Sequence, residues 1–170
     1  VQETRPVEKL PEELRGLGYE VTRGVGRVGV VGVLRNGKGP TGNGTISSLS
    51  GALKEQPYSA NTRFQSEDGK AGTNPEELIA AARASCFTMA LSFQLTNANF
   101  DPTELKTVAT VSMEKQDPGW TITNIHLDVV GKVPGVSADQ FQQLAENAKK
   151  GCPISRALSA TPITMSAKLA

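Results

Sequence analysis

The sequence predicts a mixed α+β protein, and three stretches carry that expectation. From Asn74 to about Leu95 a long apolar segment follows strong helix-start signals. Two alternating apolar–polar segments flank the turn-forming QDPG at Gln116–Gly119, as in a β-hairpin. A third stretch, from Ser137 to Gly151, repeats apolar residues at helical spacing and precedes a last alternating segment.

Taken in order, residues 1–24 are polar, with Pro6, Pro11 and mixed charge, and read as a tail or extra arm. VGRVGVVGVL from Val25 to Leu34 is β-branched and glycine-rich, which suits a strand. The turn-rich NGKGPTGNG then predicts a hairpin connection to a second strand in TISSLSGAL. PYSANTRF reads as a third, short extended piece, and QSEDGKAGT as a polar loop. In the long helix Asn74 is suited to cap, Pro75 to the first helical position and Glu77 to a capping box with Asn74. Leu105, Ala109, Val111 and Met113 form one face of the next strand, matched by Ile125, Leu127 and Val129 across the turn. His126 falls on the opposite face with Asn124 and Asp128, where a solvated histidine is expected. Ser137 with Gln140 forms a second capping box, and Phe141, Leu144, Ala145 and Ala148 form the stripe behind it. Lys149, Lys150 and Gly151 suit that helix's C-terminus. CPIS is then placed to start a short helix, and Ile163, Met165, Ala167 and Leu169 alternate along a final strand.

A chain of 170 residues suits one domain, or a tail plus a compact domain of about 140 residues. The boundaries expected are an N-terminal extension over 1–24 and one domain over 25–170. A formal net charge of +1 gives no electrostatic case for nucleic acid or an anionic membrane. Leu78–Leu95 approaches spanning length, but Arg83, Ser85, Thr88, Ser92 and Gln94 interrupt it, which favours a buried helix of a soluble protein. No secretory signal is visible, so a cytoplasmic location is expected. Two cysteines and one histidine are too few for ordinary zinc ligand sets, so neither a metal nor a cofactor is expected.

The chemistry therefore rests on Cys86 and Cys152. Position alone leaves Cys86, in mid-helix, as either a small buried apolar residue or a nucleophile. The helix dipole fades within the first turn, so a reactive Cys86 would need a cation nearby. Cys152 follows Gly151 and precedes Pro153, which places its sulfur at a helix N-cap. Amide dipoles favour a thiolate there, so local physics makes Cys152 the more acidic thiol.

Four segments carry a family resemblance: SGALKEQPY (Ser50–Tyr58), NTRF (Asn61–Phe64), NPEELIAAARASCF (Asn74–Phe87) and GCPIS (Gly151–Ser155). Together they resemble the osmotically inducible protein C (OsmC) family, which includes the organic hydroperoxide resistance (Ohr) proteins. The resemblance implies an OsmC-like fold with antiparallel sheets packed around a long buried Cys-bearing helix, in an intertwined homodimer. It implies a thiol peroxidase in which Cys86 attacks the hydroperoxide, Cys152 resolves the sulfenic acid, and Arg63 and Glu76 complete the site. The implied partners are a hydroperoxide and an external dithiol reductant, either a small molecule or a lipoyl or thioredoxin-like protein. Glu76 precedes Cys86 by ten residues, roughly 15 Å along a helix, so the two cannot meet within one helix. Arg63 and Glu76 are therefore expected to reach Cys86 of the other subunit. Glu77 lies about 180° around the helix from Cys86 and suits the capping role.

The sequence departs from the family at several positions. Many relatives carry histidine three residues before the attacking cysteine; here Arg83 stands there, either adding positive charge near Cys86 or making a structural ion pair. GPTGNG and the stretch between Arg63 and Asn74 look longer than usual, and residues 1–24 have no counterpart. Arginine in NTRF favours the OsmC branch, with Arg27 and Arg35 as substitutes if another loop supplies the cation. Two alternatives to a peroxidase are a binding module with inert cysteines and another thiol enzyme, such as a thioesterase. Retention of both cysteines with Arg63 and Glu76 favours the peroxidase.

Overall fold

A computed structural model describes residues 19–21, 32–34, 42–48, 50–65 and 71–170, the first two segments by their backbone. The chain divides into two compact units, Val1–Asn74 and Pro75–Ala170.

In the first unit β1 (Tyr19–Val21) pairs antiparallel with β2 (Gly32–Leu34), and β3 (Gly44–Ile46) with β4 (Gln56–Tyr58). β1 thus falls within the stretch expected to be a tail, and β2 and β3 lie in separate two-stranded sheets instead of one hairpin. Most of the expected Val25–Leu34 strand, with Arg27 and Arg35, lies outside the described residues. NTRF, expected to be extended, is helical: α1 spans Ala60–Phe64. The reason is local, because Ser59 accepts from the Thr62 N–H at 3.0 Å while the Thr62 hydroxyl oxygen accepts from the Ser59 N–H at 2.8 Å.

The second unit opens with α2 (Pro75–Asn97), followed by β5 (Glu104–Gln116) and β6 (Gly119–Lys132). Then come α3 (Ala138–Gly151), α4 (Pro153–Ala157) and β7 (Ile163–Leu169). The hairpin of β5 and β6 runs in register from Glu104↔Lys132 to Gln116↔Gly119, with one slip at Ser112/Met113. β6 also pairs with β7, from Ile125↔Ile163 to Gly131↔Leu169, and this pair is parallel. That departs from the expected antiparallel arrangement. The long connection carrying α3 and α4 permits it, because parallel neighbours require such a crossover.

α2 and α3 pack together, and α2 lies against β5. Phe87, Leu91 and Leu95 of α2, Leu127 and Val129 of β6, and Phe141, Ala145 and Ala148 of α3 form the buried core. The stripe expected of α3 faces it, as do Leu105 and Ala109 of β5 and Leu127 and Val129 of β6, while Val111 and Met113, at the slip in β5, lie outside the cluster. Thr88 fixes α2 to β5 through a 2.7 Å hydrogen bond to Thr107, while its hydroxyl also donates to the Ala84 carbonyl. Ser137 caps α3 as the sequence predicts, accepting from the Gln140 N–H while the Gln140 side chain accepts from the Ser137 N–H. By length and composition α2 could cross a membrane, but its Phe87–Leu91–Leu95 row is fully buried in this core. His126 lies on the outer face of the sheet, 2.8 Å from Thr164 Oγ1 and 3.2 Å from Ser166 Oγ.

Candidate active site

The core that joins α2 to α3 also brings the two cysteines together. Cys152 follows the last turn of α3 as its C-cap, with its N–H bonded to the Ala148 carbonyl at 3.0 Å. The same residue is the N-cap of α4, with Pro153 at the first helical positions. This places the Cys152 sulfur among the N–H groups of Ile154 and Ser155. Cys86, three turns into α2, is partly exposed, whereas Cys152 is fully buried. Both are free thiols, and the two sulfurs lie close enough to influence each other's ionisation.

A third side chain completes the cluster. Arg83 stands four residues before Phe87, at the head of the buried row Phe87–Leu91–Leu95, and its exposure is 0%. Its Nη1 donates to Cys152 Sγ at 3.6 Å. Its guanidinium also lies over the Phe87 ring, 5.0–6.0 Å being the usual cation–π range, at 5.6 Å from the centroid. Of the two roles open to Arg83, the structure supports the electrostatic one: it faces Cys152 more directly than Cys86, and no carboxylate among the described residues balances it.

The electrostatics divide the pair. Burial pushes the Cys86 thiol up, and the neighbouring Cys152 sulfur adds to that rise, outweighing the Ile154 N–H and Arg83. For Cys152 burial also acts upward, but the neighbouring Cys86 thiol and the nearby Ser155 and Ile154 N–H groups overcome it. The Ser155 hydroxyl contributes in the same direction from nearby, outside full hydrogen-bond geometry. Cys152 is therefore held below its ordinary value, as its N-cap position predicts. Burial lowers Arg83, opposed by the charges of Cys152 and Cys86, and an arginine remains cationic in a protein. The cluster is a pair of neighbouring thiols beside a buried cation, an arrangement suited to two-electron oxidation to a disulfide.

The sequence model of the OsmC-like proteins matches residues 67–168. This chain belongs to the OsmC-like protein family. The match spans Glu76, Cys86 and Cys152, while Arg63 precedes it. Over 119 residues the chain is 51% identical to Peroxiredoxin OsmC of Escherichia coli K12, an overlap of 70% of this chain and 81% of that protein. It is 29% identical over 115 residues to organic hydroperoxide resistance protein OhrB of Bacillus subtilis, covering 67% and 80% of the two chains. The crystal structure of that OhrB superimposes with a TM-score of 0.53 at 25% identity, over 89% of this chain and 97% of the other. An OsmC-like protein of Vibrio cholerae shares the fold, with a TM-score of 0.61 at 18% identity over 75% and 84% of the chains.

The remaining two expected site residues occupy different places in this family's framework. Glu76 lies in the first turn of α2, the same continuous helix as Cys86, so their separation of ten residues corresponds to about 15 Å. Arg63 lies on α1 in the first unit, exposed, with its guanidinium 5.0 Å from the Phe64 ring centroid. Within the second unit the residues brought together are Cys86, Cys152 and Arg83. The signal for Arg83 was present in the sequence, since a charged residue stood on the i, i+4 row of an otherwise apolar stripe.

Proposed function

We propose that this chain is a thiol-dependent peroxidase that reduces organic hydroperoxides, and hydrogen peroxide with them, through Cys86 and Cys152. The observation that carries the reading is the pairing of a partly exposed Cys86 with a buried Cys152 beside Arg83, in a chain 51% identical to a peroxiredoxin over 119 residues. Cys86, the more exposed sulfur, attacks the peroxide O–O bond and becomes a sulfenic acid. Cys152 condenses with it to a disulfide, and an external dithiol regenerates both thiols by exchange. The names of the relatives, peroxiredoxin and organic hydroperoxide resistance protein, support this substrate class. The chemistry is carried by sulfur alone, and a reducing cytoplasm is where such a disulfide would be recycled.

The test is consumption of cumene hydroperoxide by the purified chain with dithiothreitol, combined with a count of free thiols. One equivalent of peroxide should remove two thiols per chain, and the dithiol should restore both. Unconsumed peroxide with an unchanged thiol count would overturn the reading and leave a binding module.

Arg63 and Glu76 belong to this proposal as residues that act across a homodimer interface. Arg63 would stabilise the Cys86 thiolate and orient the peroxide, with Glu76 holding the guanidinium. Two features support a shared site. Glu76 is too far along α2 to serve the Cys86 of its own helix. Met89 and Phe93, on the α2 face next to Cys86, are 59% and 68% exposed, large apolar side chains suited to burial against a second copy. Mixed dimers of Cys86→Ser and Arg63→Ala subunits, each inactive alone, should regain one intact site and so up to about half the activity of a wild-type dimer, as measured by peroxide consumption. Demonstrated mixed dimers with no recovery would place both residues in one subunit.

A further inference from the structure

We propose that the external dithiol enters the cycle at Cys86: it attacks that sulfur of the Cys86–Cys152 disulfide, and Cys152 is the sulfur that leaves. This rests on the peroxidase reading and extends it to the partner's step. In thiol–disulfide exchange the attacking sulfur approaches in line with the bond it breaks, so access decides which sulfur is taken. Cys86 is partly exposed on α2. Ala82, one turn before it on the same helical row, and its neighbour Ser85 are small and exposed, so a thiol can approach from solvent. Cys152 is 0% exposed. Arg83 and Ala148, both fully buried, and Ser155, 8% exposed, stand around it, with Arg83 Nη1 at 3.6 Å from its sulfur. α2, α3 and α4 pack on one another there, so a thiol bound for Cys152 would have to part all three helices.

The step balances with the dithiol as the reductant. One of its thiols gives its proton to solvent and forms an S–S bond to Cys86. The Cys86–Cys152 bond breaks, and its electron pair goes to Cys152. The Ile154 and Ser155 N–H groups face that sulfur, so donors meet it as it leaves, and a solvent proton then neutralises it. The dithiol's second thiol loses its proton and attacks the sulfur already bonded to Cys86. The dithiol departs as its own disulfide, and Cys86 is released as the thiolate. Two electrons have passed from the dithiol to the cysteine pair. Cys86 is thus the last sulfur freed, and it is freed in the form that attacks the next peroxide. A monothiol stops at the first bond, with Cys86 capped and Cys152 able to close the disulfide again.

The test starts from the wild-type chain oxidised with diamide, which forms the disulfide without peroxide. It is then mixed with limiting mercaptoethanol, quenched in acid at short times, alkylated with N-ethylmaleimide and mapped by peptide mass spectrometry. Mercaptoethanol on Cys86 with maleimide on Cys152 should exceed the reverse pattern by about tenfold or more. Adduct mainly on Cys152, or equally on both, would overturn the proposal, and so would failure of diamide to link the pair. A second measurement removes any migration of the adduct between the sulfurs. Cys152→Ser and Cys86→Ser chains, each with one cysteine left, are capped with an aryl thiol, and its release by dithiothreitol is timed. Cys86 should take the cap and lose it about a hundredfold faster than Cys152. Comparable rates at the two sulfurs would overturn the assignment. Peroxide enters neither measurement, so the peroxidase reading fails separately, as a chain that consumes no peroxide and still shows this order of exchange.

Discussion

Cys86→Ser is expected to lose peroxide consumption by about a thousandfold or more, the scale on which loss of an attacking nucleophile is felt. Serine preserves size and hydrogen bonding, so the fold should survive, but its hydroxyl does not ionise near neutral pH and is a poor nucleophile toward an O–O bond. Cys152→Ser should behave differently. It retains Cys86, so one equivalent of peroxide should still be consumed and a sulfenic acid trapped by dimedone. Turnover with dithiothreitol should fall, because the internal disulfide cannot form and the sulfenic acid is left open to further oxidation. The pair of variants separates attack from resolution, which equal loss of both activities would not. Full activity in Cys86→Ser would reverse the assignment and make Cys152, the more acidic thiol, the attacking one. Mass spectrometry of the oxidised wild type, showing a Cys86–Cys152 disulfide, checks the same mechanism.

Phe141→Ala is expected to lower folding stability by about 3–5 kcal/mol, a large part of what a domain of this size possesses. Phe141 lies on the inner face of α3 with 1% exposure. Its ring occupies the space above Gly131 of β6, where a Cβ would come within 2.6 Å of the ring and 3.2 Å of Leu105. The close approach of α3 to the sheet depends on this pairing of a missing side chain with a large one. Alanine at 141 leaves a cavity between α3, β5 and β6 that the rigid hairpin cannot collapse to fill. Gly131→Val would fail in the opposite way, by forcing the ring out. Urea unfolding followed by circular dichroism should show a lower midpoint with an unchanged slope. A midpoint within error of wild type would refute this account of the packing. Because α3 delivers Cys152 to its place, the surviving folded fraction should also form the disulfide more slowly.

Much of the second unit was legible because its signals are short-range. The Ser137–Gln140 capping box and the stripe from Phe141 to Ala148 are contained within a few turns, and α3 starts and packs as they predict. The alternation in β5, β6 and β7 likewise settles which side chains face the core. NTRF shows where such reasoning stopped: PYSANTRF reads as a short extended piece, while the Ser59–Thr62 capping box makes NTRF helical. β7 shows another limit, since alternation identifies a strand but not its neighbour or its direction. In the site, the resemblance named Cys86 and Cys152, and the structure places Cys152 at a helix N-cap as the sequence predicts. Arg83 was visible as a nearby charge whose partner remained open between a thiol and an ion pair.

By itself the sequence determined the helices of the second unit, most of the alternating faces of its strands, the family and the two thiols, because each depends on neighbouring residues or on a motif in the chain. Only the tertiary structure decided that β7 joins β6 in parallel and that Arg83 is buried against Cys152, a residue 69 positions away. That contact exists because the core packs α2 against α3. Its energy depends on removing a guanidinium and a sulfur from water together, which no local pattern of residues records.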